Sequence, residues 1–305
     1  MQQEEIIQRL QQKVHSHCIL VKEPMKNHTS FKIGGPADLF IIPESQDQLI
    51  HAVATCKELQ VPYYIMGNGS NLLVSDKGYR GVIIQVYKNL SHFTIEGETV
   101  WAESGILLST LSKKILAAEL EGFEFASGIP GTLGGALYMN AGAYGGEMKD
   151  IVEAVHLINE QGGAMILSNE EMEFGYRRSI LQEKSYIVTA AKMKLKKGDP
   201  KAIIEKMQDF TERRKTKQPL EYPSAGSAFK RPEGFFAGKL VMDAGLRGYR
   251  IGGAQISEKH CGFIINTGDA TAQDVKALLL YVQDKVFEKF GVQLEPEVRM
   301  IGEDL

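Results

Sequence analysis

Apolar positions recur along this chain with two periods, one helical and one extended, and the switching between them sets out its elements. Ile6, Ile7, Leu10 and Val14 fall at helical spacing, which predicts an amphipathic helix over 4–14. An apolar run at 39–42, a helix opened by a Ser45/Gln48 capping box and reaching about residue 59, and a second run at 62–66 read as strand, helix, strand. Short strands are expected at 82–86, 93–95 and 99–102, the last two joined through Glu96, Gly97 and Glu98. A helix over 106–118 follows, with Leu107, Leu111, Ile115 and Ala118 on one stripe. Strands at 151–158, 164–167 and 186–195 close a second αβ unit, and the charged, breaker-bearing segment 194–201 marks a boundary. Beyond it the pattern predicts a helix over 201–214, a polar breaker-rich segment at 217–232 and a helix at 238–244. Strands at 254–256 and 263–266, a helix over 271–290 and a terminal strand at 295–299 complete the chain.

One stretch breaks both periods. Residues 127–146, SGIPGTLGGALYMNAGAYGG, carry a density of glycine that costs backbone entropy unless something must approach the main chain closely. Ile129, Leu133, Leu137 and Met139 are interleaved with the glycines, so the stretch is expected to be partly buried, with amides facing a bound group. A second glycine-bearing turn, GNGSN at 67–71, directly follows a predicted strand, where free N–H groups suit a phosphate. Neither GxGxxG opening a helix nor a P-loop is present, so a dinucleotide bound here implies a fold other than Rossmann.

Composition narrows the function. A net charge of −3 over 305 residues provides no basic field, which argues against a nucleic-acid partner. No apolar run reaches the length of a membrane span, and the acidic, amide-rich start is unlike a signal peptide, so a cytoplasmic protein without membrane insertion is expected. Cys18, Cys56 and Cys261 lie far apart without ligand spacing, which suggests free structural thiols and no metal site.

Six segments in register carry a resemblance: NHTSFKIGG (27–35), GNGSN (67–71), residues 127–146, GYRRS (175–179), GSAFKRP (226–232) and PEVR (296–299). Together they resemble the UDP-N-acetylenolpyruvoylglucosamine reductases, flavoenzymes of peptidoglycan synthesis, over the chain from about residue 20 to its end. The resemblance implies an α+β fold of the FAD-binding PCMH, or vanillyl-alcohol-oxidase, type. Two αβ subdomains (20–85 and 86–200) follow an N-terminal helix (1–19) and precede a C-terminal α/β substrate domain (201–305). It also implies non-covalent FAD reduced by NADPH, hydride delivery from the flavin to UDP-N-acetylglucosamine enolpyruvate, and protonation of the resulting enolate. A monomer of the family's shorter form, lacking the substrate lid of the longer one, is expected.

Residue by residue, the resemblance makes Arg177 the enolate's electrostatic partner, a role that suits a planar, permanently charged guanidinium. Ser227 matches the family's proton donor and Glu297 its second carboxyl group, a hydrogen-bond donor to the enolate if burial raises its pKa. Gly67, Asn68, Gly69, Ser70, Asn71, Gly128, Gly131, Thr132, Gly135, Ala136, Ala141 and Gly142 are expected around FAD, and Tyr176, Lys230, Gln255 and His260 around the substrate. Two other readings stand beside this one: an FAD-dependent alcohol or sugar oxidase of the same fold, with His28 or His51 tethering flavin, and a flavin-binding module without catalysis.

Overall fold

The computed structural model describes residues 2–304, which group into two units, each discontinuous in sequence. The first comprises residues up to 20, 39–68 and 81–212; the second comprises 21–38, 69–80 and 213 onward.

The first unit has two apolar clusters. In one, Ile6 and Leu10 of the helix Gln2–Leu10 pack with Leu49, Ala52 and Val53 of the helix Gln46–Glu58 and with Val82 and Ile84 of the strand Tyr79–Gln85. The expected first helix ran to residue 14; it ends at Leu10, and a turn still delivers Val14 to the core, its N–H bonded to Leu10 O at 2.8 Å. Ser45 caps the second helix as its sequence indicates, accepting the Gln48 N–H at 3.2 Å. The strand Tyr63–Met66 pairs in parallel with 82–85, which completes the strand, helix, strand reading.

The other cluster lies on a five-stranded antiparallel sheet in the order Ala164–Ser168, Val152–Ile158, Ile187–Lys194, Thr99–Glu103, Phe93–Glu96. Against it pack Leu108, Leu111 and Ile115 of the helix Leu108–Ala117, with Leu133 and Leu137 from the glycine-rich stretch. The expected stripe began at Leu107. That residue is instead the extended N-cap, so the helical phase starts at fully buried Leu108.

The second unit is built on an antiparallel sheet in the order Ser224–Ser227, Phe263–Asn266, Ala254–Ile256, Arg250–Ile251. Val275, Leu278, Leu279, Val282 and Val286 of the helix Ala272–Phe290 form its core with Leu240, Val241, Phe31 and Ile33. This long helix is fixed at its start by a reciprocal Thr271/Asp274 box, while the Asp76 carboxylate accepts the Ala272 N–H at 2.8 Å and the Gln273 N–H at 3.2 Å. Leu72–Val74 runs parallel to Arg299–Ile301.

Two expectations for this unit change. The segment 217–232 reads as breaker-rich, yet Ser224–Ser227 is a strand, because ladder pairing with 263–265 outweighs its poor strand composition; the register shifts between Ser224 and Ser227, where Gly226 takes φ +80°. The terminal strand begins at Arg299, not at residue 295: Pro296, which has no N–H to give a ladder, makes only a single bridge with Phe229.

Among the described residues no helix is long and apolar enough to cross a membrane. Cys18, Cys56 and Cys261 are free and buried, and burial pushes the Cys56 thiol up to about 12.

Candidate active site

The glycine-rich stretch is not one continuous loop. It contains the short helix Leu133–Tyr138, capped by Thr132, and an antiparallel pair of Gly142–Ala143 with Gly146–Glu147. The helix spends its own first amides: Leu133 N–H donates to Ile106 O, Gly134 to Ser104 O, Gly135 to Thr132 Oγ1 and Ala136 to Thr132 O. The stretch as a whole was expected to turn amides toward a bound group; those of Gly135 and Ala136, two residues expected near the cofactor, are committed within the chain. Ahead of the helix the situation reverses: the N–H groups of Gly128 and Gly131 donate to no acceptor among the described residues.

The same is true of Gly67, Asn68, Gly69 and Ser70. Gly69 is buried and holds φ +64°, so its amide sits unspent where proteins rarely leave one. Asn68 Nδ2 donates to Pro130 O at 3.1 Å, which ties this turn to the glycine-rich stretch. Gly67 faces Thr132 so closely that a Cβ there would lie 2.2 Å from Thr132 Oγ1. Asn71 behaves differently from its neighbours: its Nδ2 donates to Glu297 O at 3.0 Å and its carbonyl accepts the Arg299 N–H at 3.0 Å.

Arg177 stands in a tight turn closed by reciprocal bonds between Gly175 and Arg178, N–H to carbonyl at 3.0 and 3.2 Å. Its φ of +54° is a left-handed conformation, strained for arginine by on the order of 1 kcal/mol. The guanidinium donates to Gly142 O at 3.2 Å and lies 5.0 Å from the ring centroid of Tyr176, which is itself exposed. Arg178 points elsewhere and pairs with Glu183. Arg177 and the expected cofactor residue Gly142 are therefore in direct contact.

In the second unit, Ser227 ends its strand beside Gly226, half-buried, and its hydroxyl makes no hydrogen bond to another described residue. The next residue, Ala228, accepts the Glu297 N–H at 2.9 Å, so Ser227 and Glu297 are carried on two bonded segments. Lys230 Nζ meets Glu295 Oε1 at 2.5 Å, and any anionic ligand would have to compete with that partner. Gln255 Nε2 donates to Gly248 O at 3.1 Å. His260 is half-buried, and its Nδ1 accepts the Gly262 N–H at 3.0 Å, which assigns the ring proton to Nε2. Burial, with Lys217 nearby, holds its pKa below the usual histidine range.

In the second unit, an unsatisfied hydroxyl beside a carboxyl-bearing segment suits protonation of a developing carbanion; in the first, a fixed guanidinium suits stabilisation of negative charge, and unspent backbone amides can hold phosphate. The candidate tethering histidines are engaged otherwise: His28 Nε2 lies 2.9 Å from Glu23 Oε1 and His51 Nε2 lies 2.8 Å from Arg9 O. Sequence reading missed Asn140 and Gln182, which fasten the Arg177 turn. Asn140 lay inside the glycine-rich stretch, where a lone polar residue among apolar neighbours was the available signal; Gln182 carries none.

Residues 37–168 match the model of an FAD-binding domain, and residues 218–301 match that of the C-terminal domain of UDP-N-acetylenolpyruvoylglucosamine reductase. The reductase of that name from Alkaliphilus oremlandii is 60% identical over 286 residues, covering 94% of each chain. That from Caldanaerobacter subterraneus is 54% identical over 298 residues, covering 98% of each. The crystal structure of the Thermus caldophilus UDP-N-acetylenolpyruvylglucosamine reductase superposes with a TM-score of 0.79 at 36% identity, over 93% of this chain and 98% of that one. The fold is the expected FAD-binding PCMH type. Matched at this identity over nearly its whole length, the chain belongs to the UDP-N-acetylenolpyruvoylglucosamine reductase family.

Proposed function

We propose that the protein reduces UDP-N-acetylglucosamine enolpyruvate to UDP-N-acetylmuramate in peptidoglycan synthesis, using NADPH and non-covalently bound FAD. Family membership supports the reaction. The observation that carries the cofactor's fit is the set of unspent amides at 67, 68, 128 and 131 in the first unit, which includes Gly67, where not even a methyl group has room. That is a donor set for a pyrophosphate and a surface that backbone alone can line. FAD, when bound, relays a hydride from NADPH to the substrate's double bond.

The chain's own residues supply the rest. Residues 67–71, 128, 131, 132, 135, 136, 141 and 142 would hold the cofactor, those with spent amides by shape rather than by N–H donation. The Ser227 hydroxyl, which makes no hydrogen bond among the described residues, donates its proton to the enolate carbon. Arg177 stabilises the enolate and carboxylate charge, and Glu297 gives a hydrogen bond to the same anion. Tyr176, Lys230, Gln255 and His260 contact the substrate, with Lys230 exchanging Glu295 for an anionic group. The reading takes subdomains 20–85 and 86–200 for the cofactor and 201–305 for the substrate, in a monomeric cytoplasmic enzyme.

The test is spectroscopic. Purified protein carrying FAD should bleach with NADPH under anaerobic conditions and recover its yellow colour on addition of UDP-N-acetylglucosamine enolpyruvate. A reduced flavin that this sugar fails to reoxidise overturns the reading.

A further inference from the structure

The Arg177 turn belongs to no sheet, and nothing in its sequence favours a left-handed arginine, so something outside it must hold it in place. The holding groups are side chains from two directions. Ser179 Oγ and Gln182 Nε2 donate to Tyr138 O at 2.8 and 3.1 Å, and Gln182 Nε2 also lies 2.9 Å from Arg177 O. From the glycine-rich stretch comes Asn140, whose Nδ2 donates to Gly175 O, the first residue of the turn, at 3.0 Å.

Asn140 is 0% exposed and its hydrogen-bonding capacity is used on three sides. Beyond Gly175, its Nδ2 donates to Glu147 Oε2 at 2.7 Å and its Oδ1 accepts the Lys149 N–H at 2.9 Å. Its own φ is +43°, a conformation that asparagine accepts more readily than most residues. Only a carboxamide meets these demands at once. Aspartate would lose both donors and face the Glu147 carboxylate; alanine would leave the Gly175 carbonyl, the Glu147 carboxylate and the Lys149 N–H without this partner.

Two residues past Asn140, Gly142 O receives the Arg177 guanidinium. The turn and the guanidinium are thus both referenced to one short piece of backbone, 138–142, the end of the stretch proposed to hold the cofactor. We propose that Asn140 is a positioning residue: it registers the Arg177 turn against the cofactor-holding stretch, so that placing the cofactor also places the charge that stabilises the enolate. This rests on the role given to Arg177 above. A displacement of about 1 Å in such a group can cost on the order of a hundredfold in rate.

The experiment follows the two half-reactions of the holoenzyme separately by anaerobic stopped flow, in wild type, Asn140→Ser, Arg177→Lys and the double variant. Asn140→Ser is expected to keep its FAD and to be reduced by NADPH within about threefold of wild type, while reoxidation by the enolpyruvyl sugar slows by about 10- to 100-fold. In the Arg177→Lys background the same change should cost less than about threefold, because the residue it positions is already compromised. Equal slowing of both half-reactions, or effects that multiply in the double variant, would overturn the positioning role. Should Asn140→Ser fail to fold, Gln182→Ala loosens the same turn without taking a partner from the Glu147 carboxylate, and the same selective slowing of reoxidation is required of it. Wild-type flavin that the sugar cannot reoxidise would instead condemn the proposed reaction, a result separate from either variant's behaviour.

Discussion

The two units hold their candidate catalytic groups by opposite means. Glu297 is held through backbone pairing: its N–H bonds Ala228 O, Arg299 N–H bonds Asn71 O, and the parallel pair of Leu72–Val74 with Arg299–Ile301 follows immediately. Arg177 is held in a strained turn by side chains, Asn140, Ser179 and Gln182, acting on backbone carbonyls. Asparagine appears in both, at 71 and 140, each donating Nδ2 to a carbonyl, but Asn71 reinforces a ladder and Asn140 stands in for one. Main-chain pairing survives most substitutions because every residue brings the same amide. A turn held by side chains can be loosened by one change, so it should separate activity from stability more sharply.

The sharpest way to break this comparison is at the groups themselves. Ser227→Ala and Glu297→Ala are expected to lower kcat by about 10²–10⁴-fold while Tm stays within a few degrees, since neither change touches the backbone bonds that hold those segments. Normal turnover in either would remove that residue from the mechanism. Arg177→Asn should cost about 10²–10³ in kcat and yet leave stability equal or raised by up to about 1 kcal/mol, because asparagine tolerates the left-handed conformation. A clear loss of stability in denaturant melts would mean that the arginine's contacts outweigh its strain.

Gly67→Ala probes the cradle as shape rather than as side chains. Its methyl group would meet Thr132 Oγ1 at 2.2 Å, so the variant should lose bound FAD on gel filtration and melt lower, by about 1–3 kcal/mol. Retained flavin at wild-type stoichiometry would contradict the close approach.

His260 gives a pH-dependent effect in the second unit. Burial holds its folded pKa below the unfolded value of about 6.5, and protonation would break the bond from Gly262 N–H to Nδ1. The stabilisation is complete above that unfolded value and is lost as pH falls through it toward the folded pKa, because the unfolded chain then binds the extra proton. His156, lowered by burial in the first unit, acts with the same sign. His260→Asn should therefore flatten, without abolishing, the fall in Tm between pH 7 and pH 5; an unchanged slope would show that His260 does not contribute. The smallest effect is expected at Ser104, whose buried Oγ has no partner among the described residues: Ser104→Ala should raise stability by about 1 kcal/mol in the same melts.

Much of this was legible in the chain. Helical and strand periods located the elements because burying one face is a local demand that each segment states in its own residues, as Leu111 and Ile115 do. The missed boundaries, at Leu107, Ser224 and Pro296, fall where a cap or a distant partner decides the end of an element. The motif residues likewise carried the resemblance to the family to which the chain belongs, since the proposed need for a fixed cation, a proton donor and a close backbone is a need for residue type.

The sequence by itself determined the elements, the family and the kinds of candidate group available: arginine, serine and glutamate for the proposed reaction, glycine for the proposed cradle. Only the tertiary structure decided which amides remain unspent. It committed the amides of Gly135 and Ala136 to Thr132 at the start of their own helix and left those of Gly69, Gly128 and Gly131 without acceptors among the described residues, because the folded path of the backbone decides which carbonyls lie within reach. It also gave Asn140 its place, for the carbonyl it holds belongs to Gly175, 35 positions further along the chain.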